Sequence, residues 1–347
     1  MMEEVMMAKD LLINGMLNGE ELKIPDWFRK PNRVAFIGIG GSAIAGEIIS
    51  WILINIHGIL SQVFRGPEIP TNFFTDDTLV FIISYSGNTW ETLAAFRSLK
   101  DINSMKISIT SNGKLAEISS RFNIPVIPLT PEIQPRSSLY EQVASLLIVL
   151  DKLGIRVRAS QELEYSKHAI ERVLNSEQDR AYEIASMIAR KSIVIYGYRS
   201  MSVAAMRWKT QFNENAKMTA WYETLTEANH NSLVSWGESE DLNNYSIILL
   251  RSPREESEPI RETLNWFQEY LSKRLHLLTY ETFEESLLAR ILSACMMGDV
   301  VSVKVSEIKN IDAKSVRPIN ALKNHMEKWG IYNYLGLDSS SQIDRFL

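Results

Sequence analysis

Short apolar runs recur along the first 130 residues, and each is followed by a glycine- or serine-rich turn and then by a helical pattern. Such continuous runs are typical of parallel strands, because helices cover a parallel sheet on both faces. The pattern predicts strands at Val34–Ile37, Gln62–Phe64, Leu79–Ile83, Lys106–Thr110 and Pro125–Pro128. The first half of the chain is therefore predicted to form a doubly wound parallel sheet.

The alternation restarts after the charged stretch Arg156–Asp179, for which we predict an exposed helix. Further strands are predicted at Ser192–Tyr196, Tyr245–Leu250 and His276–Thr279. We expect an α/β fold with two doubly wound parallel-sheet domains of similar architecture, followed by a C-terminal helical tail. The predicted boundaries are 1–155, 156–311 and 312–347, and the polar end Ser339–Ser341 is a candidate for disorder.

The helices are predicted from the 3.6-residue spacing of apolar positions. The principal ones are expected at residues 3–30, with a turn at Pro25, and at Leu139–Leu153, Val203–Glu214, Phe283–Val301 and Pro318–Trp329. A further helix follows the loop Arg251–Arg254 and runs to Tyr270.

Composition narrows the function classes. The chain has 347 residues and a net charge of −5, which gives no electrostatic support for a nucleic acid or an anionic membrane as partner. Its single cysteine, Cys295, forms no intrachain disulfide and no thiol-rich metal site. The first residues lack the pattern of a signal peptide, and no apolar run is long enough to span a bilayer. A cytoplasmic protein is therefore expected.

Ser84–Thr89 is the most informative segment. Its sequence, Ser-Tyr-Ser-Gly-Asn-Thr, lies where the predicted strand Leu79–Ile83 passes into a helix. Free backbone N–H groups and the helix dipole favour an anion at such a point. The hydroxyl side chains add donors without adding charge, which suits a phosphate, and the absence of a Walker lysine argues against a nucleoside triphosphate.

A second glycine-rich turn, Gly38–Ser42, follows the first strand. It does not keep the G-x-G-x-x-G spacing of dinucleotide-binding folds, and Arg65 stands where an acidic residue would follow the second strand. Glycines serving only a tight turn are an equally good interpretation of this motif by itself.

Four further residues are candidates for chemistry. Glu214, within Asn213–Lys217, and His230, within Asn229–Asn231, could form an acid–base pair surrounded by amides. Arg136 follows a proline turn and could stabilise an oxyanion, whereas Lys323 lies on the terminal helix. Each of the four, taken alone, is also compatible with an ordinary solvated side chain.

Together these motifs resemble the bifunctional phosphoglucose/phosphomannose isomerase family, a branch of the sugar isomerase (SIS) domain proteins. The matching segments are Gly38–Gly46, Ser84–Thr89 with Glu91 and Thr92, Pro135–Arg136, Asn213–Lys217 and Asn229–Asn231. The SIS phosphate turn alone would be specific only to the superfamily, whereas the whole set in this order is specific to the family.

The resemblance implies aldose–ketose isomerisation of a hexose 6-phosphate through a cis-enediolate, without metal or cofactor. Ser42, Ser84, Ser86 and Thr89 would hold the phosphate, and Gly40 and Gly41 would also bind the substrate. Glu214 would be the base, Arg136 would stabilise the enediolate, and His230 and Lys323 would open the sugar ring. A homodimer is implied, in which His230 reaches the active site of the other subunit.

One departure concerns the epimer. The family pattern has a threonine seven residues before the lysine, where this chain has Val316 beside Ser315, so acceptance of mannose 6-phosphate is left open. A non-catalytic phosphosugar sensor is the alternative function. Amidotransfer to fructose 6-phosphate is disfavoured, because position 2 is Met2 rather than a nucleophilic cysteine.

Overall fold

The computed structural model describes residues 1–337, Ile343 and Phe346, so the predicted disorder of Ser339–Ser341 lies outside the described residues. The chain forms two compact units. The five-stranded unit contains Ala8–Ser160 and the chain from Val316 onward. The four-stranded unit contains Met1–Met7 and Gln161–Ser315.

The five-stranded unit has a wholly parallel sheet in the order β2-β1-β3-β4-β5. Its strands are β1 (Arg33–Ile37), β2 (Leu60–Phe64), β3 (Thr78–Ile83), β4 (Met105–Thr110) and β5 (Val126–Pro128). Every residue of β3 is buried, as expected for a central strand covered on both faces. The predicted strands of this half are thus all present.

Helices cover the sheet of the five-stranded unit. Its helices are α2 (Ala8–Glu21), α3 (Gly41–His57), α4 (Trp90–Arg97), α5 (Gly113–Arg121), α6 (Leu139–Lys152), α13 (Arg317–Trp329) and α14 (Ile331–Tyr334). One core joins β1 and β3 to α4 and α5 and includes Leu335, Leu337 and Phe346 from the C-terminal segment. The ring of Phe346 meets that of Phe96 with centroids 5.8 Å apart, which fixes the C-terminal segment to this core.

The four-stranded unit has a second wholly parallel sheet, in the order β7-β6-β8-β9. Its strands are β6 (Ser192–Tyr198), β7 (Ala220–Leu225), β8 (Tyr245–Arg251) and β9 (His276–Glu281). Strand β7 was not predicted from the sequence. This strand lies at the sheet edge with Trp221 and Tyr222 exposed, so it lacks the continuous apolar run that marks a buried parallel strand.

The helices of the four-stranded unit are α1 (Met2–Met6), α7 (Ala159–Ser176), α8 (Gln178–Ile188), α9 (Met201–Glu214), α10 (Ser232–Glu238), α11 (Glu258–Ser272) and α12 (Leu287–Ile308). Helix α7 was predicted to be exposed, but Leu163, Ile170 and Val173 are fully buried along one face. The single N-terminal helix predicted over residues 3–30 is two helices, and the second ends at Glu21. The predicted fold class, two parallel-sheet α/β domains with a C-terminal helical region, is confirmed.

Candidate active site

The order of strands creates a crevice at the carboxyl end of the first sheet. The chain leaves β1 towards β2 on one side and later returns to β3 on the other side. The loops after β1 and β3 therefore diverge, and ligands of doubly wound folds bind at such a switch point. The predicted substrate-binding residues lie in these two loops or in the first turns of the following helices: Gly40, Gly41, Ser42, Ser84, Ser86 and Thr89.

The segment Ser84–Thr89, here called the hydroxyl loop, is closed by its own hydrogen bonds. The Ser84 hydroxyl donates to Thr89 Oγ1 at 2.9 Å, and the Gly87 N–H donates to the Ser84 carbonyl at 3.0 Å. Ser84 is 1% exposed, whereas Ser86 and Thr89 are partly exposed. Thr89 precedes α4, and its side chain does not cap the helix. The N–H groups of the first turn therefore keep their capacity to donate to an anion.

The loop after β4 supports the hydroxyl loop. The Ser111 N–H and hydroxyl both donate to the Tyr85 carbonyl, at 3.0 and 2.7 Å, and the Lys114 N–H donates to Asn88 Oδ1 at 3.0 Å. Gly87 has φ +66°, and a Cβ there would lie 1.8 Å from the Asn112 carbonyl oxygen. Only glycine fits this backbone, so the close approach of the two loops depends on Gly87.

Arg136 lies beside the turn that follows β1. A Cβ on Gly41 would lie 3.2 Å from the Arg136 Cα, so the two backbones pack closely. The Arg136 side chain is 97% buried, since only 3% of its surface is exposed, and its Nη1 donates to Gln134 Oε1 at 3.1 Å. The structure thus packs the backbone of Arg136, whose side chain is buried, against the Gly41 turn, as the sequence motifs suggested.

Lys323 lies on α13, a helix without buried residues. Within the described ranges its ammonium makes no hydrogen bond or ion pair. Its helix is nonetheless tied to the hydroxyl loop, because α14 follows directly and the Tyr332 hydroxyl donates to the Asn88 carbonyl at 2.7 Å. The Lys114 ammonium lies 4.9 Å from the centre of the Tyr332 ring, which strengthens this attachment.

Glu214 is the last residue of α9 in the four-stranded unit, and it is half-buried. The adjacent asparagines fix the helix end: Asn213 Nδ2 donates to the Met218 carbonyl at 2.8 Å, and the buried Asn215 Nδ2 donates to Ser302 Oγ at 2.9 Å. The Lys217 ammonium donates to the Glu214 carbonyl at 2.5 Å. These contacts hold the backbone that carries the Glu214 carboxylate, so the side chain is presented from a rigid support.

His230 lies in the same unit, at the end of the 3-10 turn Glu227–His230 that follows β7, and it is exposed. Asn231 caps α10, with its Oδ1 accepting from the Ser232 N–H, and its Nδ2 donates to Glu227 Oε1 at 3.1 Å. The Ser232 hydroxyl donates to the Glu223 carboxylate on β7. An exposed imidazole is therefore displayed on a loop that is anchored on both sides.

The described residues contain neither a candidate membrane-spanning helix nor a candidate metal cluster. No described helix combines the length and the apolarity that a bilayer crossing demands. The same part of the chain contains no cluster of three or more histidine, cysteine, aspartate or glutamate side chains suited to a metal ion.

Two protein-family models match the chain. Residues 28–150 match the SIS domain model, and residues 177–326 match the model of the bacterial phosphoglucose isomerase C-terminal SIS domain. The bifunctional phosphoglucose/phosphomannose isomerase of Aquifex aeolicus is 31% identical over 297 residues, which cover 85% of this chain and 90% of the relative. This chain belongs to the bifunctional phosphoglucose/phosphomannose isomerase family. The resemblance inferred from the motifs is confirmed.

One protein of similar sequence is named for a different activity. The D-glucosamine-6-phosphate 4-epimerase of Sulfolobus acidocaldarius is 27% identical over 300 residues, covering 84% of this chain and 88% of that protein. The fold is shared more widely still. The C-terminal domain of the Francisella tularensis glucosamine-fructose-6-phosphate aminotransferase superposes with a TM-score of 0.74 at 15% identity, covering 90% and 97% of the two chains.

This member of the phosphoglucose/phosphomannose isomerase family also has positioning residues that the sequence did not reveal. The Tyr85 hydroxyl donates to the Thr130 carbonyl at 2.9 Å and accepts from the Ile133 N–H at 3.1 Å. Tyr85 therefore joins the hydroxyl loop to the segment that leads to Arg136. Its place inside the serine-rich motif was the one available signal, since Thr130 is 45 residues away along the chain.

Proposed function

We propose that this chain interconverts aldose and ketose hexose 6-phosphates, with glucose 6-phosphate and fructose 6-phosphate as the principal pair. Its membership in the phosphoglucose/phosphomannose isomerase family carries the proposal. The hydroxyl loop at a sheet switch point supports the phosphate part of the substrate. Glu214 at a rigid helix end supports the chemical step.

The proposed reaction is a proton transfer between C1 and C2 through a cis-enediolate. Ser42, Ser84, Ser86 and Thr89 bind the phosphate, which supplies binding energy remote from the reacting carbons. Gly40 and Gly41 belong to the same substrate-binding site. The Glu214 carboxylate removes the C2 proton and returns it to C1. The guanidinium of Arg136 stabilises the charge of the enediolate, so the step requires no metal ion.

Ring opening precedes this step, because hexose 6-phosphates are mainly cyclic. It needs a proton donor at the ring oxygen and an acceptor at the C1 hydroxyl. We assign these roles to His230 and Lys323, whose side chains are both exposed. We further propose that the chain acts as a homodimer in the cytoplasm and that His230 serves the active site of the partner subunit.

A coupled assay on the purified protein tests the proposal, with glucose 6-phosphate and mannose 6-phosphate run side by side. Conversion of glucose 6-phosphate to fructose 6-phosphate is expected. The assay with mannose 6-phosphate shows whether the chain accepts this epimer with Val316 in place of the family's threonine. Binding without turnover, measured by calorimetry, would support a phosphosugar sensor instead. Epimerisation of glucosamine 6-phosphate at C4, seen by NMR, would place the chain beside its Sulfolobus relative.

A further inference from the structure

The second sheet has a switch point of its own. In the order β7-β6-β8-β9 the loops after β6 and β8 diverge, as the loops after β1 and β3 do in the first sheet. Arg199 and Ser200 follow β6, the turn Pro253–Glu255 follows β8, and Arg290 lies in the first turn of α12 after β9. The four-stranded unit therefore gathers cationic and hydroxyl groups where the five-stranded unit has its hydroxyl loop.

A carboxylate of the protein itself occupies this place. The side chain of Glu255 is only 8% exposed and accepts a hydrogen bond from the Ser200 hydroxyl. Its two oxygens lie 3.6 Å from Arg199 Nε and 4.0 Å from Arg290 Nε. Two guanidinium groups and a hydroxyl around one anion form the set of donors that proteins commonly use to bind a phosphate group.

The buried guanidinium of Arg290 explains why a negative charge is needed at this position. Its side chain is 9% exposed, and its Nη1 donates to the carbonyls of Glu284 and Glu285, both at 2.8 Å. Its Nε donates no hydrogen bond to any described residue. A guanidinium that is buried to this degree requires a compensating negative charge. Glu255 supplies this charge, while Arg290 Nε keeps an unused donor directed at the same place.

We propose that the switch point of the four-stranded unit is an anion site held closed by Glu255, whose carboxylate takes the place of a phosphate group. The wild-type chain then binds no phosphate at this sheet. Removal of the carboxylate leaves the Ser200 hydroxyl and the guanidinium groups of Arg199 and Arg290 around an open position. That position is expected to bind inorganic phosphate or a phosphate monoester.

The test counts phosphate sites by isothermal titration calorimetry on the full chain. Glu255→Ala is expected to bind one more inorganic phosphate per chain than the wild type does. The double variant Glu255→Ala with Arg290→Met is expected to lose the additional site. Glu285→Ala is the matched control, because it removes an equal charge from a carboxylate that is 78% exposed on the neighbouring loop. It is expected to leave the number of sites unchanged.

An unchanged number of sites in a folded Glu255→Ala protein would overturn the proposal, as would an additional site that survives loss of Arg290. Folding is checked by circular dichroism. If the alanine variant is too unstable to purify, Glu255→Ser is measured in the same way, with the same expected gain of one site. Each variant's number of phosphate sites is compared with that of the wild type. The outcome is therefore the same whether or not the hydroxyl loop binds phosphate.

Discussion

Thr89 joins the hydroxyl loop to helix α4, and its hydroxyl oxygen already accepts a hydrogen bond from Ser84. The hydrogen atom of that hydroxyl is therefore available to a bound phosphate. Thr89→Val keeps the shape of the side chain and removes the donor. Since a hydrogen bond to a charged group contributes about 1.5–3 kcal/mol, we expect KM for hexose 6-phosphate to rise roughly tenfold to a hundredfold, with a smaller change in kcat.

Steady-state kinetics on both substrates of the proposed pair measures this change. Ser98→Ala, at the far end of the same helix, is the control and should keep the wild-type KM. A Thr89→Val protein with unchanged KM would show that this hydroxyl does not contact the phosphate.

At the residue scale, the sequence was enough to propose site residues that lie at the end of a single strand or helix. The hydroxyl loop and the end of α9 are local, because their chemistry follows from a strand or helix boundary that can be read directly. Tyr332 could not be found in this way. Its contact with Asn88 joins residues 244 positions apart and depends on how the C-terminal helices pack.

The conformation of the hydroxyl loop depends on its contact with the loop after β4. Gly87→Ala would place a Cβ 1.8 Å from the Asn112 carbonyl oxygen, and a backbone atom cannot move aside as a flexible side chain can. We therefore expect the loop to be displaced and phosphosugar binding to be largely lost. Calorimetric titration with hexose 6-phosphate measures the loss.

Gly58 offers a matched control for this element. It has φ +63°, close to that of Gly87, but a Cβ there would meet no atom within 4 Å. Gly58→Ala is expected to cost about 1–2 kcal/mol of stability from the left-handed backbone alone, with normal binding of the sugar phosphate. Equal effects of the two variants on binding would show that the contact with Asn112 does not set the loop conformation.

The edge strands β2, β5 and β9 were predicted from clusters of apolar residues, whereas the edge strand β7 was missed. The continuous apolar run of β3 identified a central strand, whereas the edge strand β7 has exposed aromatic and polar residues between its two buried ends. Helix α7 is more buried than its sequence suggested. Its many charges suggested an exposed helix, although a narrow apolar stripe buries one face.

The stability of the whole molecule should depend on pH through Lys106. Burial lowers the pKa of this ammonium from 10.5 to about 8 in the folded protein. Between these values the unfolded chain binds more protons, so the free energy of unfolding rises with pH. This increase in the free energy of unfolding is absent at pH 7 and develops as pH rises from 8 to 10.5.

Lys106→Met removes the titrating group and keeps a side chain of similar length. Urea denaturation of both proteins is expected to show the variant gaining more stability over the wild type at pH 7 than at pH 10. A stability difference that is the same at both values would contradict a lowered pKa for Lys106.

A shared active site would make activity a property of the dimer. We expect Glu214→Gln and His230→Ala to be inactive separately. A mixed dimer, co-expressed with two affinity tags and purified through both, should recover about half of wild-type turnover, because one of its two sites would then be intact. An inactive mixed dimer, or a chain that sediments as a monomer, would contradict the assignment of His230 to the partner's site.

The most direct measurement of the central claim is the interconversion of glucose 6-phosphate and fructose 6-phosphate by Glu214→Gln, with substrate affinity measured in parallel. Loss of a general base predicts turnover lower by roughly a hundredfold to ten-thousandfold. The dissociation constant for the hexose 6-phosphate should stay at its wild-type value, and Glu262→Gln, on the exposed face of α11, should behave as wild type. Normal turnover by a folded Glu214→Gln protein would contradict the assignment of Glu214 as the base.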